Sequence, residues 1–197
     1  MKTKYLFLIL VFFAISFSQN ISGQQVIRNL DFEDLDVVGR LVSWEIRNPN
    51  NSFQIQIDTT QSYSGNVSIL LESNILDSKR RGAANAFSII KSPNLNQRSS
   101  IKVTGYMKTE DLEDGTAFIG LQMNGAKGIV SEVNTAQKNI KGNTPWTEYS
   151  IEGIITSDVE SVSFGAQITG RGKVWFDDFH VVIDGVSLDR NINLKEL

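Results

Sequence analysis

Apolar and polar residues alternate one for one, in segment after segment, between residues 52 and 183. A period of two sends successive side chains to opposite faces of an extended strand, and no stretch from Gln24 onward sustains a helical period instead. The pattern predicts strands over 52–58, 67–72, 86–91, 100–109, 116–124, 147–155, 161–169 and 173–183. Turn-forming clusters separate them, among them Tyr63-Ser64-Gly65-Asn66, Glu113-Asp114-Gly115, Asn124-Gly125 and Gly170-Arg171-Gly172. At least eight antiparallel strands at this spacing imply an all-β fold, a sandwich or barrel. For 197 residues a jelly-roll β-sandwich is the natural architecture.

The alternation also sets which side chains face inward, because a one-residue slip would turn a whole apolar set to solvent. Val103 and Met107 in one strand, Ala117, Ile119, Leu121 and Met123 in the next, and Val162, Phe164, Ala166 and Ile168 near the end are assigned to the core. The opposite sets then make a solvent face of amides and hydroxyls with two aromatic rings, Tyr106 and Phe118. A sugar would stack on Tyr106 or Phe118 while Gln122 and Gln167 read its hydroxyls, so these four are the candidate ligand-binding residues. The same composition also suits an ordinary hydrated sheet face. Trp44, Trp146 and Trp175 are assigned to packing rather than stacking, since the large area of tryptophan favours burial.

The amino terminus carries a different signal. Lys2 and Lys4 precede an almost unbroken apolar run over 5–17, and Ser16, Ser18, Ser22 and Gly23 supply small residues for cleavage. That is the pattern of a secretory signal peptide, assigned to 1–23, with cleavage after Ser18 or after Gly23. The run is too short to span a bilayer, so no transmembrane anchor is expected after cleavage. The domain is assigned to 24–185 and a short polar tail to 186–197. The protein is expected to be secreted or periplasmic.

The inventory of reactive groups argues against catalysis. There is no cysteine, which excludes disulfides, thiolate metal sites, a cysteine nucleophile and a lipid-anchoring cysteine. His180 is the single histidine, and no nucleophile elbow, phosphate loop or paired-histidine motif accompanies it. A formal net charge of −3, from 19 basic and 22 acidic residues, leaves no electrostatic footprint for nucleic acid.

Several motifs in order carry a resemblance: Asn29-Leu30-Asp31-Phe32-Glu33, Trp44, Tyr63-Ser64-Gly65, Gly105-Tyr106-Met107-Lys108-Thr109, Trp146-Thr147-Glu148-Tyr149, and Gly172-Lys173-Val174-Trp175-Phe176-Asp177-Asp178-Phe179. Together they resemble the galactose-binding-like jelly rolls, in particular carbohydrate-binding modules of the family four and nine type. A narrower resemblance is to the accessory jelly rolls of Bacteroidetes exported peptidases and esterases. The resemblance implies a glycan or cell-surface polysaccharide as partner, or, in the accessory role, a protein partner and no glycan. It also implies a structural Ca²⁺ tying the first strand to the last, with Glu33, Asp177 and Asp178 as side-chain ligands and carbonyls of the 58–65 loop completing the shell. The alternative for these carboxylates is simple solvation or ion pairing.

Overall fold

The computed structural model describes residues 29–49, 51–73, 82–91 and 99–188. The assigned signal peptide and residues 189–197 of the assigned tail lie outside the described residues. Eleven strands are present among those described: β1 (Glu45–Arg47), β2 (Phe53–Asp58), β3 (Ser68–Ser73), β4 (Ala83–Lys91), β5 (Ser99–Glu113), β6 (Ala117–Gly125), β7 (Gly128–Asn134), β8 (Gly142–Ile155), β9 (Ser161–Thr169), β10 (Arg171–Ile183) and β11 (Val186–Ser187). They form two antiparallel sheets, one of five strands in the order β1-β4-β9-β6-β7 and one of six in the order β2-β3-β10-β5-β8, with β11 on β10. The chain is a jelly-roll β-sandwich, as the alternation implies.

The core lies between the sheets and is built from the inward sets. Val103, Met107, Ala117, Ile119, Leu121, Met123, Val162, Phe164, Ala166 and Ile168 are all buried. Three strands escape the alternation rule. β1 has only three residues, all exposed, and β7 is an edge strand whose first five residues are exposed, so neither needs an apolar face. β11 extends the domain past the assigned boundary at 185: Val186 pairs with Ile183, the Leu188 N–H bonds to the Val181 carbonyl at 2.8 Å, and Leu188 is buried.

The closing strand breaks its own alternation, and the break organises one end of the core. Val174 and Phe176 face inward before it; Phe179, Val181 and Ile183 do so after it. Between the pairs Asp177–Tyr106 and His180–Thr104, β10 places two residues against the single Gly105 of β5, a β-bulge. Asp178 takes the left-handed conformation there, with φ 48°. The bulge seats Phe179 over Gly105, where a Cβ would come within 3.1 Å of its ring. Phe179 then packs against Phe32 and Trp44, at centroid distances of 6.0 and 5.2 Å. Trp44 is a core residue, its indole N–H donating to the Asn29 carbonyl at 2.7 Å.

Candidate functional site

The outward face of the five-stranded sheet carries a cleft of about 380 Å³. Register explains its shape. Phe87, Gly165, Gly120 and Asn134 lie in one cross-strand row over β4, β9, β6 and β7. The two central members have no side chain, so this row forms the floor. One wall is the row Asn85, Gln167, Phe118; the other is Ile89, Ser163, Gln122, Glu132. The groove therefore crosses the strands, and three strand spacings make it about 14 Å long.

The walls mix apolar and hydrogen-bonding groups. The Phe118 ring edge is 3.9 Å from where a Cβ would sit on Gly120, so it borders the floor. Gln122 donates from Nε2 to Asn124 Oδ1 at 2.6 Å, which orients both amides. The Arg47 guanidinium lies 4.4 Å from the Phe87 ring centre and 3.8 Å from the Glu45 carboxylate. Asn85 Oδ1 is buried with no hydrogen-bond partner. Gly165 is required by close approach, because a Cβ there would fall 2.1 Å from the Ala86 carbonyl oxygen.

Three of the four sequence-assigned ligand residues, Phe118, Gln122 and Gln167, thus line one cleft. Tyr106 does not join them. It lies on β5, in the six-stranded sheet, and faces outward on the opposite side of the sandwich. The single solvent face expected for Tyr106 and Phe118 is two faces, because β5 and β6 are consecutive strands of different sheets. Tyr106 is moreover covered by Tyr63, whose ring stacks on it at 3.5 Å and 10°. Hydrogen bonding to Tyr63 and Glu148 pushes its hydroxyl well above the ordinary tyrosine range. Sequence reasoning missed Asn85 and Phe87, while Ser163 belongs to the outward set of its strand without having been assigned to the ligand. In β4 the outward Phe87 and Ile89 are as apolar as the inward Ala86 and Ile90, so polarity gave no signal.

The carboxylates assigned to calcium meet a different set of groups. Glu33 Oε1 accepts the N–H groups of Asn66 and Val67 at 2.8 and 3.0 Å, and Oε2 accepts the Asn66 amide at 3.2 Å. Desolvation raises the Glu33 pKa, but these donors together hold it below the ordinary carboxylate value. Asp177 is fully buried; its Oδ2 accepts the N–H groups of Tyr63 and Ser64 at 2.7 and 3.0 Å, and its Oδ1 that of Asp178 at 2.7 Å. Burial nonetheless pushes Asp177 up to about 6. Asp178 pairs with His180 Nε2 at 3.3 Å on the outward side of β10. In the 58–65 loop, the Gln61 and Gly65 carbonyls accept the hydroxyls of Ser68 and Ser62. A hard cation needs converging oxygens, whereas N–H groups converge on Glu33 and Asp177. Among the described residues no group of three or more acids or histidines that could hold a metal ion exists. The two carboxylates tie the first and last parts of the domain to the 62–67 loop directly.

Trp175 is buried on the outer side of the six-stranded sheet, donating to Asp58 Oδ2 at 2.7 Å, while Trp146 is half-buried beside Tyr63. Among the described residues no helix is long and apolar enough to cross a membrane.

No protein-family model matches the chain. Among curated proteins it is 25% identical over 134 residues to YbfP of Bacillus subtilis, described as an uncharacterized HTH-type transcriptional regulator, covering 68% of this chain and 44% of that protein. The chain thus spans less than half of that relative's length. Among solved structures, the enzymatically active domain of tailspike protein 4 of bacteriophage CBA120 is similar with a TM-score of 0.57 and 12% identity, over 81% of this chain and 21% of that one. TmCBM61, in complex with β-1,4-galactotriose, gives a TM-score of 0.53 and 13% identity, over 81% of this chain and 99% of that one. The C-terminal family 22 carbohydrate-binding module of Clostridium thermocellum Xyn10B gives 0.52 and 14%, over 79% and 96%. At such identities the likeness is one of fold, and two of these neighbours are carbohydrate-binding modules matched over nearly their whole length.

Proposed function

We propose that this chain is an exported, non-catalytic module that binds a neutral glycan in the cleft of the five-stranded sheet. The observation that carries the reading is the glycine-floored groove, walled on one side by Phe118 and Gln167 and on the other by Ser163 and Gln122. A pyranose has an apolar C–H face and a rim of hydroxyls, and it needs both kinds of wall. A groove about 14 Å long that crosses the strands has room for a short stretch of a linear polysaccharide. Support comes from TmCBM61, a fold neighbour solved with an oligosaccharide. Export rests on Lys2, Lys4 and the apolar run over 5–17.

A second reading, an accessory domain with a protein partner, is favoured by the relative from Bacillus subtilis. There a similar sequence occupies under half of a longer polypeptide, as an accessory module would. Calorimetric titration with β-1,4-galactotriose and with soluble xylan, galactan and β-glucan separates the two. The glycan reading expects micromolar-to-millimolar binding to at least one probe, weakened about tenfold or more in Phe118→Ala. Absence of heat with every probe would leave the accessory reading in its place.

A further inference from the structure

The aromatic cluster on the far side of the sandwich takes no part in the cleft, and its construction is that of a binding platform. Tyr63 sits in the loop between β2 and β3, and that loop is held at both ends, by Asp177 at Tyr63 and Ser64 and by Glu33 at Asn66 and Val67. One face of the Tyr63 ring lies flat on Tyr106, yet the residue remains 44% exposed. The Trp146 ring stands at 61° to it with centroids 6.2 Å apart, so two aromatic planes meet in an open corner. At its foot the Tyr106 hydroxyl donates to Glu148 Oε2 at 2.9 Å, which places an exposed carboxylate beside the rings. The loop is pinned through its backbone, and Tyr63 is nonetheless among the exposed large side chains.

We propose that this corner is a second glycan-binding site, in which Tyr63 takes the C–H face of a neutral pyranose, Trp146 flanks the ring edge and Glu148 accepts its hydroxyls. Local charge selects the ligand class. Lys108, two residues from Tyr106 on the same face of β5, is hydrogen-bonded to Gln61 and lies 5.1 Å from the Trp175 ring centre, so a positive charge stands next to the corner and disfavours a cationic ligand. Glu148 disfavours an anionic one. A neutral sugar satisfies both. The proposal takes its class of ligand from the glycan reading above but uses none of the cleft's residues. Two sites on opposite sheets cannot share one stretch of polysaccharide, so the module would bridge strands of its ligand and gain avidity from doing so.

Tryptophan emission tests the corner separately from the cleft. Trp44 and Trp175 are buried, and the cleft lining holds no tryptophan among the described residues, so Trp146 is the reporter of this corner. The same probes are titrated while emission and heat are followed in parallel. The expected result is an emission change that disappears in Trp146→Phe, weakens at least tenfold in Tyr63→Ala, returns in Tyr63→Phe and persists in Phe118→Ala. A probe that binds by calorimetry with one equivalent per chain, loses its heat in Phe118→Ala and leaves emission unmoved overturns the second site while the cleft stands. An emission change that survives Trp146→Phe overturns it too. Neither heat nor emission change with any probe overturns both readings together.

Discussion

Gly120 and Gly165 are neighbours on the cleft floor and face the same way, yet valine at these two positions should have opposite consequences. A Cβ on Gly120 meets nothing closer than the Phe118 ring at 3.9 Å, an ordinary contact, and Gly120 does not have positive φ. Valine there removes the entropic penalty of glycine in a strand interior, roughly 0.5–1 kcal/mol, and adds a favourable β-branched side chain. For a domain of this size that is a rise in Tm of about 1–4 °C. On Gly165 the Cβ would lie 2.1 Å from the Ala86 carbonyl oxygen and 2.6 Å from Phe87 Cα. Both are backbone atoms of β4, so the strand itself must move, at roughly 2–3 kcal/mol or more and a fall in Tm of about 4–12 °C. Differential scanning calorimetry of the two variants measures the stability difference, and glycan titration of Gly120→Val measures what the floor does. The more stable variant should lose affinity at least tenfold, because its isopropyl group occupies the space a sugar ring needs. Wild-type affinity in Gly120→Val would remove the cleft from consideration, and a wild-type Tm in Gly165→Val would refute the packing argument beneath it.

Three further outcomes are expected. Burial holds Asp177 at about 6 in the fold against an ordinary value of 3.8, so the folded state binds this proton more tightly than the unfolded chain. Its contribution to stability is present below pH 3.8 and is lost as pH rises through about 6, a span of about 3 kcal/mol. The stability of wild type relative to Asp177→Asn should therefore grow on acidification from pH 7 to pH 4, and a flat or opposite profile in denaturant melts would contradict it. Calcium at millimolar concentration should leave Tm where chelator leaves it, since N–H groups occupy the oxygens of Glu33 and Asp177; a calcium-dependent rise would mean that the loop rearranges around the ion. Deleting Asp178 removes the extra residue of the bulge and leaves Phe179, Val181 and Ile183 inward in unbroken alternation, opposite the same β5 partners, so the variant should keep a cooperative transition by near-UV circular dichroism. Loss of that transition would show that the core requires the bulge itself and not only the inward set.

What the sequence made legible, and what it did not, divides along one physical line. Alternation reports whether a side chain faces the core, and in β5, β6 and β9 that assignment holds at every apolar position named. It reports nothing about which sheet a strand joins. The segment over 113–116 between β5 and β6 holds an ordinary Glu-Asp-Gly turn signal, but it crosses from one sheet to the other, with Gly115 packed on the Thr169 carbonyl. A hairpin with the same residues would have put Tyr106 and Phe118 on one face. Crossing over, it puts them on opposite faces, and so a single imagined site becomes a cleft and a separate aromatic corner. The acidic residues carry a parallel ambiguity. The resemblance assigns Glu33 and Asp177 to a metal, but a carboxylate placed to receive backbone N–H groups is the same residue type as one placed to receive a cation. Only the orientation of the 62–67 loop distinguishes them, and that orientation depends on contacts 33 and 114 residues apart along the chain. Local pattern therefore determines the layers of this fold, whereas the sites depend on which layers are joined, a property of crossovers that local pattern does not encode.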